Sequence, residues 1–412
     1  MKFLKVLLLT VLVILSSCDR FQENRKIVLR TDRPELIAYA EAYNAESEYK
    51  VEVVYSAEPA KELADGKCTA DLVIAPYLNS KQVTDRLMPL DNLFTESVLD
   101  RDSFYREALE QGRTEKGQVA LPVSFNIPVF LFRSGEVKHS VSSFNLDSNS
   151  FAVICSEFNS SKTSYRKSSF SPLWDNRIPF FFALLSDNNF YESENGKFTV
   201  NDVQLENRLQ FMRGLISRFS GDFDGERYFR EKFLYMPQLE LLEKRRIFFS
   251  FSDVASFSNI PESSRRNLNF RFYLNEKNRI AVCENMLYAA IPGKSGNSKG
   301  AGDFLAWMMN EKVQTEMLGN AENRKIRGFG IAGGFSSLKG VNEKSFPKLY
   351  PFMVGHIPTE EILSFPVPCP PDFDRLRDEA IIPWLYTQTG QPSTTSDLMD
   401  TVDSWRRMNA AL

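Results

Sequence analysis

Trp174, Asp175 and Asn176 stand in one run and bring a flat ring, a carboxylate and an amide to a single loop. An aromatic face covers apolar C–H surface, while carboxylates and amides satisfy hydroxyls. The run is therefore the leading candidate for gripping a hydroxyl-rich ligand, with Trp174 as a core side chain the alternative. Thr31 and Asp32 follow a short apolar run, Pro76 and Tyr77 follow another, and Ser252 and Asp253 follow a third. Asp32 reads equally well as a cap for the helix opened by Pro34. Gly334 and Phe335 sit in the Gly333–Ser336 turn, which either exposes backbone N–H groups to a ligand or forms a plain hinge.

Catalytic chemistry has little to build on. Only His139 and His356 are present, so no histidine cluster for a metal arises, and no catalytic residue, metal ligand or cofactor is expected. There is no Gly-x-Ser-x-Gly elbow, Gly-rich phosphate loop or His-Glu-x-x-His helix. The many carboxylates leave a two-carboxylate glycosidase open by residue type. Cys68, Cys155, Cys283 and Cys369 are widely spaced with no Cys-x-x-Cys pair, and they read as free thiols rather than a zinc site or bridges.

These groups must be held by the elements around them. Ile27–Leu29, a helix from Pro34, Val51–Tyr55, a short helix from Lys61 and Asp71–Ala75 alternate as strand, helix, strand, helix, strand. That order predicts a parallel sheet covered by helices, with ligand beyond the carboxyl ends of its strands. Val119–Arg133 carries two prolines and reads as extended. Further strands are expected at Phe151–Cys155 and Ile247–Phe251, and an extended segment at Ile280–Ile291. Helices are expected at Ile178–Leu185, Asp202–Phe219, Leu239–Glu243, Ser298–Leu318 and Asp397–Met408 from their apolar spacing. Trp307 and Trp405 lie at core spacing, and Trp384 is ambiguous.

The chain opens with Lys2, Lys5 and an apolar stretch from Val6 to Leu15, far short of the roughly 20 residues of a spanning helix. Leu15-Ser16-Ser17-Cys18 resembles the lipobox of bacterial lipoproteins, which implies a signal peptide over residues 1–17, acylation of Cys18 and a polar tether over 18–26. The mature part is then exported and lipid-anchored in the bilayer, facing the periplasm or the outside. The 412 residues are 43% hydrophobic and 25% charged with net charge −3. That excludes disorder and gives no reason to expect nucleic acid as a partner.

Several blocks resemble the sugar-type extracellular solute-binding proteins of bacterial ABC importers. They are the strand and helix of Ile27–Asn44, Ala70–Pro76, Met88–Leu93, and Leu121–Asn126 followed by Val129–Phe132. Tyr288–Ser295 with the helix carrying Phe304, Leu305, Trp307 and Gln314 matches most closely. Phe132-Arg133 replaces the family's Tyr-Asn, and Arg245 stands where a glycine is usual. The resemblance implies a two-lobed, periplasmic-binding-protein-like α/β fold. Each lobe would be a mostly parallel sheet flanked by helices, the two joined by crossover hinge strands. It places 27–125 plus 286–330 in one lobe and 126–285 plus 331–412 in the other. It further implies a monomer that captures a small solute, a sugar, between the lobes and delivers it to ABC permease subunits without catalysis. The ligand-contact candidates are Thr31, Asp32, Tyr77, Trp174, Asp175, Asn176, Ser252, Asp253, Gly334 and Phe335. A glycan-processing enzyme and a tethered bilobal protein binding host or envelope partners are the alternatives.

Overall fold

The computed structural model describes residues 25–96, 98–137, 144–160, 166–185, 190–323, 328–391 and 397–409. The leader, Cys18 and His139 lie outside the described residues. Alternating burial builds β1 (Lys26–Thr31), with Ile27, Leu29 and Thr31 turned inward. Pro34 opens a single 3-10 turn that continues as α1 (Ile37–Glu46). Then come β2 (Lys50–Tyr55) and β3 (Leu72–Pro76), the latter buried along its whole length. β4 (Leu121–Phe125) and β5 (Pro128–Arg133) are separated only by Asn126 and Ile127. β6 (Asn145–Leu146), α2 (Ser148–Asn159), α3 (Arg177–Leu184), the hairpin β7 (Phe190–Glu192) and β8 (Phe198–Val200), and α4 (Asp202–Ser220) follow. The chain continues through β9 (Ser250–Asp253), α5 (Val254–Asn259), β10 (Leu268–Tyr273), β11 (Ile280–Ala281) and β12 (Leu287–Ala290). It ends with α6 (Ser298–Met308), α7 (Glu311–Asn323), β13 (Phe335–Ser336), β14 (Leu363–Ser364), α8 (Ile382–Gly390) and α9 (Leu398–Asn409).

Two principal sheets result. One has the order β13-β4-β12-β3-β1-β2 and the other β9-β5-β10-β6. Both are mixed rather than mostly parallel. β1 runs parallel to β2 and β3, as strand-helix-strand connections require. β12 is antiparallel to β3 and β4, and β13 to β4. β12 brings the chain back from the second sheet, which frees it from a strand-helix-strand course, and β13 follows after α6 and α7. The step from β4 to β5 across Asn126-Ile127 carries the chain from one sheet to the other.

The second lobe absorbs much of the phenylalanine content. Phe130 of β5 is fully buried and meets the rings of Phe151, Phe170, Phe181, Phe249, Phe251 and Tyr273 at centroid distances of 5.2–5.9 Å. Edge and tilted ring contacts of this kind add to the area they bury.

Several sequence expectations are corrected. Phe151–Cys155 is helical, inside α2: Asp147 caps the helix by accepting from Ser150 N at 2.9 Å, and Phe151, Ile154, Cys155 and Phe158 share one stripe. The strand expected over Ile247–Phe251 begins only at Ser250. Ser298–Leu318 is broken at Met309-Asn310 into α6 and α7, where Asn310 Oδ1 accepts from Lys312 N at 2.9 Å. Arg245 has φ of 54°. That is a left-handed backbone, a conformation glycine adopts more readily than arginine. Cys68, Cys155, Cys283 and Cys369 are all free. Among the described residues no helix is long and apolar enough to cross a membrane.

Candidate functional site

Where the crossovers meet, a cavity of about 300 Å³ opens. Its walls come from four places: Asn126 and Pro128 at the first crossover, α3, the end of β9, and Cys283–Asn285 between β11 and β12. Arg377, Asp378 and Ile382 close it from the C-terminal segment. Phe180, Phe181 and Phe251 provide aromatic surface, because α3 turns its Phe-rich stretch inward and β9 ends beside it.

The charged groups lining this cavity are already engaged. Arg177 grips Asp175 with two bonds, at 3.0 and 2.7 Å, and that pairing raises its pKa. Arg377 bonds Glu284 closely and reaches Asp374 and Asp378, each at 2.7 Å. Burial on its own lowers the Arg377 pKa, but these carboxylates outweigh it and the net shift is upward. Burial pushes Glu284 up, against the pull of Arg377. Asp253 caps α5, accepting from Ser256 N at 2.8 Å and Ser256 Oγ at 2.6 Å, and takes Asn126 Nδ2 at 2.7 Å. Burial also pushes the Cys283 thiol well up, which keeps it protonated and unreactive. Each lining carboxylate, Asp253, Glu284 and Asp378, therefore has a partner within the protein.

Two polar side chains are different. Ser252 Oγ makes only a 3.5 Å contact with Asp253 O, a poor hydrogen bond. The Asn285 amide has no hydrogen-bond partner among the described residues. A hydroxyl and an amide thus stand uncommitted beside aromatic walls.

The structure brings together only part of the sequence candidates. Ser252 and Asp253 line the cavity, and Asp175 reaches it through Arg177. Asn176 is exposed, at the start of α3. Trp174 is buried and stacks on Phe229 with centroids 5.3 Å apart, away from the cavity. Phe335 is fully buried between Phe125 and Phe346. A Cβ on Gly334 would lie 2.5 Å from Phe125 O, so close backbone packing accounts for that glycine. Thr31, Asp32 and Tyr77 do stand at strand ends, but the chain's own Phe373 and Asp374 pack against Tyr77, and Asp374 lies close to Asp32. Tyr77 Oη donates to Asp374 at 2.8 Å, and burial with Asp374 nearby raises the Asp32 pKa. Asp32 does not cap the Pro34 turn, which lacks a side-chain cap.

Sequence reasoning missed Arg177, the Phe180-Phe181 pair, Glu284, Asn285 and Arg377. One signal was present: Cys283-Glu284-Asn285 interrupts an apolar extended segment with polar groups at a crossover. Arg377 is flanked by its partners Asp374 and Asp378, but the one that places it at the cavity, Glu284, is 93 positions away.

No family model and no curated protein matches the sequence. Solved structures do. The sugar-binding protein MalE from the phytopathogen Xanthomonas citri superposes with TM-score 0.66 at 10% identity, covering 93% of this chain and 96% of that one. An ABC substrate-binding protein from Listeria monocytogenes in complex with cycloalternan gives 0.60 at 12%, covering 93% and 99%. Maltose-bound MalE3 of T. maritima gives 0.59 at 13%, again over 93% and 99%. The chain has the two-lobed α/β fold that these proteins share.

Proposed function

We propose that this chain, with the fold of sugar-binding ABC substrate-binding proteins, captures an uncharged carbohydrate in the crossover cavity. The lobes hinge about Asn126-Ile127 and the Val282–Met286 link, and the captured solute passes to ABC permease subunits. The observation that carries the reading is the division of labour in the cavity. Phe180, Phe181 and Phe251 supply flat apolar surface, and Ser252 and Asn285 have hydrogen-bonding capacity to spare. Both lining arginines are held by carboxylates. An anionic ligand would meet no unpaired cation there, whereas a sugar uses faces and hydroxyls alike.

Capture without turnover is the reading favoured by the substrate-binding proteins that share the fold, and in the cavity Asp253 serves a helix cap and Glu284 an arginine. The lipobox-like Leu15–Cys18 supports an exported, lipid-anchored protein at the membrane surface, and we read it as a monomer there. Such tethering raises the local concentration of the loaded form near its permease. Thermal melting of the mature protein against neutral and acidic sugars tests this. A neutral sugar at a hundred times its dissociation constant adds about 2.7 kcal/mol. A shift confined to acidic sugars, or none with any sugar, refutes the reading.

A further inference from the structure

We propose that Phe373 and Asp374 are specificity-determining residues that restrict the ligand to the size of a single sugar ring, an inference that rests on the carbohydrate reading above. In a two-lobed α/β protein both lobes are expected to face the ligand, one through the carboxyl ends of its parallel strands. Here every residue lining the cavity is numbered 126 or above. The ends of β1 and β3 contribute nothing, although Thr31, Asp32 and Tyr77 stand there.

The chain itself fills that space. Phe373 is fully buried and packs on Tyr77 from the first lobe at 5.9 Å between centroids, and on Phe180 and Phe198 from the second at 6.2 and 5.8 Å. Asp374 ties the same turn to both sides, accepting from Tyr77 Oη at 2.8 Å and from Arg377 at 2.7 Å. A second strap lies alongside. Glu192 of β7 accepts from Ser80 Oγ at 3.0 Å and from Lys81 N at 2.6 Å, and Gln82 Nε2 donates to Gly196 O at 2.9 Å. Phe180 is the shared wall: one side faces the cavity, and the other meets Phe373. What remains of the cavity is about 300 Å³, at the bottom of the roughly 300–1,000 Å³ range of small-molecule sites. Beside it a pocket of about 210 Å³ shares Leu184 and Glu284 and is reached from the first lobe by Glu107 and Gln111. Further rings of an oligosaccharide would have to enter the volume that Phe373 and Asp374 occupy.

The test is calorimetric titration of the mature protein with neutral monosaccharides and with the di- and trisaccharides built from them. The expected result is at least tenfold tighter binding of one monosaccharide than of its longer forms. Phe373→Ala should narrow or reverse that preference. Asp374→Ala, which frees the turn from Tyr77 while leaving Arg377 bonded to Glu284 and Asp378, should do the same if the first variant does not fold. Oligosaccharides bound as tightly as single rings would overturn the size restriction and leave the carbohydrate function standing. An unchanged preference in both folded variants would overturn the role of Phe373 and Asp374. No binding of any sugar would overturn the function and this inference together.

Discussion

Tyr77 donates its hydroxyl to Asp374 across 2.8 Å, although 297 positions separate them in the chain. Tyr77 adopts φ of 61° just after β3, which turns its ring out from the strand end toward the C-terminal segment. The contact joins the first lobe to the Arg377 cluster beside the cavity. Tyr77→Phe removes one hydrogen bond and keeps the ring packing, with Asp374 still paired to Arg377. A loss of about 1 kcal/mol is expected, read as a lower urea midpoint at unchanged slope. No change in midpoint would mean that the contact contributes nothing to holding the lobes together.

Ser252 and Asn285 are the groups with hydrogen-bonding capacity to spare. Ser252→Ala and Asn285→Ala should each weaken sugar binding by about 1 kcal/mol, roughly fivefold. Unliganded stability should stay within about 0.5 kcal/mol, because neither side chain holds the fold. Titration calorimetry and melting of the same variants check both halves. Unaltered affinity in both variants would remove these two residues from the site.

Trp174 is a core residue by position, and its replacement should act accordingly. Trp174→Ala is expected to cost about 3–5 kcal/mol of stability. Trp174→Phe, which preserves stacking on Phe229, should leave sugar affinity unchanged. A folded Trp174→Phe protein with a tenfold weaker affinity would restore Trp174 as a ligand contact.

His356 is wedged against Phe144 and Phe270, at 4.9 and 4.5 Å between ring centroids. Its Nε2 has no partner among the described residues. Burial lowers its pKa from 6.5 to about 4. The unfolded chain takes up this proton near pH 6.5 and the folded one only near pH 4. Stability from the neutral ring is therefore whole above pH 6.5 and falls as pH drops toward 4, by about 3 kcal/mol. Urea midpoints at pH 7 and pH 4.5 should diverge less in His356→Phe than in the parent. Equal divergence would place the acid sensitivity elsewhere.

The alternation over residues 27–75 made the first sheet legible, since helices and strands there are local and strongly patterned. Asp202–Ser220 was equally plain from its apolar stripe. Phe151–Cys155 misled because a five-residue apolar run has no period of its own; the deciding group is the Asp147 cap just before it. The site was legible only where a strand end announced it, at Ser252-Asp253. Glu284 and Phe373 gain their roles from partners brought together by the fold, and Arg377 meets Glu284 across 93 positions that no local spacing encodes. Trp174-Asp175-Asn176 carried the right residue types, yet Phe229 claimed the ring and Arg177 the carboxylate.

Hydrogen exchange with and without saturating neutral sugar asks whether solute is held at the crossovers beneath Phe180, Phe181 and Phe251. New protection is expected at the backbone amides of residues 251–254 and 283–286, with little change at 31–33 and 174–176. Protection concentrated at 31–33 or 174–176, with 251–254 and 283–286 unchanged, would contradict it.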